Sequence, residues 1–153
     1  MKHTPKFLKR LLNIYGPYFG AGVKVEHISS DWKQIRVSMK LRWYNRNIFG
    51  IHFGGSLYSM ADPHFVIMLM NLLGSNYLVL DKSATINFLR PAKGKVFATF
   101  EITDDELEII RLQTDKKRKS LPQFTTTIVD ENQRTIARIY KVLYVRKKRS
   151  DNV

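Results

Sequence analysis

Between Ser56 and Gly74 the chain offers no polar face. Leu57, Met60, Ala61, Phe65, Val66, Ile67, Met68, Leu69, Met70, Leu72 and Leu73 put apolar groups on every side of a helical wheel. The segment is too long for one strand, and a helix without a polar side is stable only when other elements cover it. Its longest unbroken apolar run, Phe65 to Met70, falls far below the roughly 20 residues that span a bilayer. The sequence therefore predicts one long buried helix, stopped at Gly74, with no transmembrane segment.

The rest of the chain supplies the wrapping. Val23, Val25 and His27 alternate with Lys24 and Glu26, and Ile35, Val37, Met39 and Leu41 alternate with Arg36, Ser38, Lys40 and Arg42. This period of two marks half-buried strands, joined here by a turn at Ser29-Ser30-Asp31. Further strands are expected at Ala84–Phe88 and Val96–Ile102, separated by a turn at Pro91-Ala92-Lys93-Gly94. Two more are expected around Phe124–Ile128 and over 135–145, joined across Asp130–Gln133. An amphipathic helix is expected over 4–15, ended by Gly16-Pro17. A helical insertion is expected over 103–119, where Thr103 and Glu106 have capping-box spacing. Its acids lie at the start and its cations at the end, as the helix dipole favours. Mostly antiparallel sheet around a single central helix is an α+β architecture.

A chain of 153 residues has room for one domain, here with a core over about 20–145 and a basic tail over 146–153. With no cysteine and only four histidines, disulfides, thiolate metal sites and cysteine nucleophiles are excluded and no metal centre is expected. The formal net charge of +13 is unusual. It is concentrated in Lys2, Lys6, Lys9 and Arg10, in Lys116–Lys119, and in Arg146–Arg149. Such runs are commonly solvated, but the field favours anionic partners: nucleic acid, membrane, phosphorylated ligand or acidic carrier protein. Neither a helix-turn-helix nor an RNA-binding aromatic motif accompanies them, so no specific nucleic acid is expected. The N-terminus lacks the continuous apolar core and cleavage site of a secretory signal, which makes the cytoplasm the expected compartment.

The densest chemistry lies between Asn47 and Pro63. Gly54-Gly55 at a helix mouth exposes first-turn N–H groups that could polarise a carbonyl, or simply permits a tight turn into a buried helix. Asp62 falls in the most apolar part of the chain, where an ionised carboxylate is costly without a partner. Pro63 removes an N–H and favours a kink there. A functional carboxylate is one explanation. The other is an Asp held by Ser59 or Tyr58, or one capping a second helical segment that starts at Pro63. His64, two residues on, points away from Asp62 on a helix and cannot form a dyad with it.

Asn47, Gly50, Gly54-Gly55 and Asp62, in this chain order, resemble the hotdog-fold acyl-CoA thioesterases of the phenylacetate-pathway type. Gly55 to Asp62 has that group's spacing from its glycine pair to the helix acid, and Ser83–Gly94 looks like its tunnel-lining strand and following turn. The resemblance covers about 20–145 and lies nearest a poorly characterised branch with His52-Phe53-Gly54-Gly55. It implies a hotdog fold, an antiparallel sheet wrapped around a long central helix, acting as a homodimer or a dimer of dimers. It also implies hydrolysis of an acyl-CoA or acyl carrier protein thioester, with coenzyme A as part of the substrate and no separate cofactor. Asp62 would be the general base or nucleophile, the Gly55 N–H would polarise the carbonyl, and Asn47 would position water or substrate from the partner subunit. Gly54, His52, Phe53, Tyr58 and Phe65 would contact substrate, and Arg90, Lys93 and Lys95 are candidates for phosphate contacts. Phe53 stands where the group has His, and a non-catalytic acyl-CoA binding module is the alternative this substitution raises.

Overall fold

A computed structural model describes residues 3–148 of the chain. Two helices, α1 (Pro5–Ile14) and α2 (Gly16–Ala21), precede strands β1 (Val23–Ile28) and β2 (Gln34–Lys40). Helices α3 (Gly54–Ser59) and α4 (His64–Leu73) follow, then β3 (Tyr77–Phe88) and β4 (Lys95–Glu101). Helix α5 (Asp104–Lys117), the short β5 (Lys119–Ser120), β6 (Gln123–Asp130) and β7 (Thr135–Lys147) complete the order. The strands form one antiparallel sheet ordered β1-β2-β4-β6-β7-β3, with β5 on the end of β7. This is the expected α+β hotdog arrangement: a curved sheet wrapped around an apolar helical spine.

Alternation along the strands fixes which face meets the spine. Ile35, Val37 and Met39 on β2, Val96, Ala98 and Phe100 on β4, and Ile139, Leu143 and Val145 on β7 are all buried. They close on Phe65, Met68 and Leu69 of α4. The Phe65 ring stacks on Phe124 with centroids 4.6 Å apart and meets Phe100 edge-on at 5.3 Å.

Three features differ from the sequence expectation. The spine is two helices: α3 ends at Ser59, residues 60–63 form turns and bends, and α4 starts at His64. Proline forbids the ongoing backbone bond, and here the chain breaks rather than bends. Gly16-Pro17 does end α1 but also opens α2, where a proline in the first turn lacks only an N–H that would be unpaired anyway. The basic tail begins later than position 146: Arg146 and Lys147 belong to β7, paired with Lys119 and Tyr77. Arg149 and the residues after it lie outside the described residues, as do Met1 and Lys2. The insertion forms as expected, with Thr103 accepting from the Glu106 N–H at 3.2 Å and Glu106 accepting from the Thr103 N–H at 2.8 Å.

Candidate functional site

A cavity of about 410 Å³ opens at the mouth of α3. Asn47, Ile51, His52, Gly54 and Leu57 line one side, and Phe88, Leu89, Arg90, Pro91 and Ala92 line the other. The loop side is built by Asn47. Its carboxamide oxygen accepts from the N–H groups of Phe49 and Ile51 at 2.9 and 3.3 Å, and its own backbone N–H donates to the Ile51 carbonyl. Short polar side chains favour such local turns. His52 is buried and bonds the Gly94 carbonyl through Nε2 at 2.8 Å, which makes Nε2 the protonated nitrogen. Burial lowers its pKa, against the opposing effect of that bond, so the ring is a neutral strut between the loop and the Gly94 turn.

Gly54 and Gly55 lie in close approach to aromatic rings. A Cβ at Gly54 would lie 3.0 Å from the Phe88 ring, and one at Gly55 would lie 2.5 Å from the Phe53 ring. Half-exposed Phe53 precedes α3 without a side-chain cap, so the first-turn N–H groups of Gly54, Gly55 and Ser56 have no capping oxygen.

Asp62 belongs to a second constellation. The expectation of a buried carboxylate is corrected: at the helix break its side chain is 52% exposed. Tyr58, one turn earlier on α3, donates its hydroxyl hydrogen to Oδ1 at 3.0 Å. The Lys141 ammonium, fully buried on β7, donates to the Asp62 carbonyl and lies 3.5 Å from Oδ1. The same ammonium pairs with Asp81 of the neighbouring β3 at 2.8 Å and sits 5.9 Å from the Tyr58 ring centre. One buried cation thus joins the helix break to the sheet edge, between two carboxylates that both reach solvent. Burial, followed by the bond to Asp62, pushes the Tyr58 hydroxyl up to about 12, so it remains a donor.

Within one chain, Asn47, His52, Gly54 and Arg90 share the cavity, whereas Asp62 and Tyr58 lie with Lys141 and Asp81. Phe65, expected to contact substrate, is instead core, because its ring fills the space between Phe100 and Phe124. Arg90 donates to the Thr135 carbonyl at 2.9 Å while remaining exposed at the cavity rim. Lys93 is exposed beside the Gly94 turn and is not among the lining residues. Lys95 pairs with Glu26 at 3.5 Å and lies over the Phe97 ring, away from this cavity. His64, at the start of α4, shares a 2.7 Å hydrogen bond with Tyr18. Lys141 and Asp81 were not singled out in the sequence. The signal was present: Lys141 is in phase with the inward positions Ile139, Leu143 and Val145.

Solved structures of similar shape share the fold. A Pseudomonas aeruginosa protein of unknown function, PA5026, described as a probable thioesterase, superposes with a TM-score of 0.85 at 17% identity, covering 96% of this chain and 98% of that one. The thioesterase HI1161 of Haemophilus influenzae gives 0.70 at 16% identity over 100% and 97%. A mutant form of the Staphylococcus aureus thioesterase SAV0944 gives 0.63 at 17% identity over 84% and 97%. No curated protein matches the sequence. The match that sets its family runs over residues 4–145, nearly the whole described fold, and by it the chain belongs to the family described as a domain of unknown function, DUF4442.

Proposed function

We propose that the protein hydrolyses an acyl thioester carried by coenzyme A or acyl carrier protein, at sites shared between two chains. The observation that carries this reading is the Asp62 carboxylate, solvent-accessible at the break in a hotdog spine and held on two sides by the Tyr58 hydroxyl and the Lys141 ammonium. A carboxylate so fixed suits a general base. Asp62 takes a proton from water as the oxygen attacks the thioester carbon. The tetrahedral intermediate then expels the thiolate, which recovers the proton from Asp62, leaving a carboxylic acid and a thiol. The uncapped Gly55 N–H is the donor proposed for the developing oxyanion. Direct attack by Asp62, giving an anhydride that water then opens, uses the same groups. Lys141 acts as a positioning residue, since it grips both the carbonyl and the carboxylate of Asp62.

The second chain is needed because Asp62 and the cavity belong to different constellations. Strand β3 is a long edge strand, exposed from Asp81 to Thr85, and such an edge invites pairing. It carries Asp81 beside the Asp62–Lys141 pair and Phe88 in the cavity wall. Antiparallel pairing of two β3 strands brings the Asp81 end of each towards the Phe88 end of the other. Asp62 would then face the Asn47–Gly54 cavity of the second chain, where Asn47 positions water or the carbonyl. Arg90 at the rim is the residue proposed to meet a phosphate of the carrier.

Phe53 favours a second reading, a binding module without turnover, because its ring occupies the place of a polar His beside Gly55. Thiol release measured over short, medium, long and aryl acyl-CoAs separates the two. Turnover on any of them supports hydrolysis; saturable acyl-CoA binding with no thiol released supports the binding module.

A further inference from the structure

The 116–119 and 146–148 runs, far apart in sequence, lie side by side in the fold, and the start of α1 reaches the same end of the molecule. Residues 72–76, where α4 gives way to β3, contact α5, the Lys148 backbone and the start of α1. Arg111 of α5 donates to the Leu72 carbonyl at 3.1 Å. Gly74 and Ser75 line a shallow depression with His3 and Leu8 at the start of α1. The Lys148 N–H donates to the Asn76 carbonyl at 2.8 Å. Strand β5 pairs Lys119 with Arg146, and the Lys147 N–H bonds the Arg118 carbonyl, so Lys116–Lys119 and Arg146–Lys148 lie side by side. Among the described residues of this group one acid intervenes, Asp115, paired with Lys147 at 2.8 Å.

Helix α1 adds an apolar stripe. Its inner side, Leu8 and Leu12, packs on the core, and Asn13 clamps it to β1 through both backbone groups of Val25 at 2.7 and 3.1 Å. Its outer side exposes Phe7, Leu11 and Ile14, the last at 76%; Tyr15 and, on α2, Phe19 at 74% are also exposed. Lys6 and Arg10 flank the stripe and are also exposed. A helix held flat on its domain, with aromatic and aliphatic groups outward and cations beside them, has the form of an interfacial membrane helix.

We infer that this end of the molecule and the outer face of α1 dock on an anionic lipid surface. Phe7, Leu11 and Ile14 enter the boundary between headgroups and acyl chains, while Lys6, Arg10 and the paired 116–119 and 146–148 runs meet lipid phosphates. A nucleic acid would use the charge but leave the apolar stripe in water, which is why a lipid surface is the better fit. The inference is independent of thioester hydrolysis.

Co-sedimentation with phosphatidylcholine vesicles, with and without phosphatidylglycerol, tests it. The protein is expected to partition at least on the order of a hundredfold more strongly onto the anionic vesicles, and to be released by salt. Replacing Lys116 and Lys119 by Gln should weaken that partition roughly tenfold. The Phe7→Ser, Leu11→Ser, Ile14→Ser variant should lose binding by a similar factor while keeping its circular dichroism and its oligomeric state. Equal partition onto neutral and anionic vesicles, or an unchanged triple variant, would overturn the inference. So would a triple variant that folds but changes its mass by light scattering, because the stripe would then be a contact between copies of the chain.

Discussion

Lys141 is the residue on which the proposed site turns. Its ammonium has no access to solvent yet satisfies Asp81, the Asp62 carbonyl and the Asp62 carboxylate together. Both carboxylates reach water, so removing the cation leaves no fully buried anion behind. Lys141→Met should therefore cost only about 1–3 kcal/mol of stability, mostly for the orphaned Asp62 carbonyl. Hydrolysis, by contrast, should fall by roughly tenfold or more, as expected when a base loses its fixed position. Denaturant midpoints and kcat measured on the same preparation check both halves. An unchanged kcat would remove Lys141 from the mechanism. His64 gives a second residue-scale expectation. Burial lowers its pKa to about 3, below its ordinary 6.5. Between those values the unfolded chain binds a proton that the folded chain does not, so stability is lost as pH falls below 6.5. The slope from this group reaches about 1.4 kcal/mol per pH unit. His64→Gln should flatten the acid limb of a plot of unfolding free energy against pH by that amount.

At the scale of elements, what could be read in the sequence followed from patterns with a single physical cause. Alternation in β2 placed Ile35, Val37 and Met39 inward, and capping-box spacing placed the start of α5. Thr103→Ala should cost about 1–2 kcal/mol, because the first-turn N–H of Glu106 loses its acceptor; a smaller shift in the urea midpoint would mean that water replaces the cap. The break in the spine was legible only as an ambiguity. Pro63 could bend a continuous helix or end it, and in the fold the Asp62 carbonyl at the break is taken by Lys141, far along the chain on β7. The site was legible in part for the same reason. Asn47, His52 and Gly54 share one local loop, and Arg90 joins them because His52 bonds that loop to the Ala92 and Gly94 carbonyls of the turn after β3. The Asp62–Lys141–Asp81 cluster depends on the pairing of β3 with β7, which no local pattern specifies. Phe65 shows the converse: an aromatic near a candidate acid is indistinguishable in sequence from one that fills the core.

Across the whole molecule, the proposal requires two chains to complete each site, and a mixing experiment follows from it. Asp62→Asn and Asn47→Ala should each be nearly inactive alone. Mixed after subunit exchange, they should regain roughly a quarter of wild-type activity, because half of the dimers then hold one intact site of two. No recovery despite demonstrated exchange would place both residues in a site within one chain, contrary to the separate constellations seen here.

The most direct test is thiol release from acyl-CoA by wild type and by Asp62→Asn, which keeps the shape of the side chain while removing its charge. On any acyl-CoA that the wild type turns over, kcat should fall by about 10²–10⁴-fold, with the fold and the oligomer intact. Equal rates for the two proteins would contradict the assignment of Asp62 as the group that activates water.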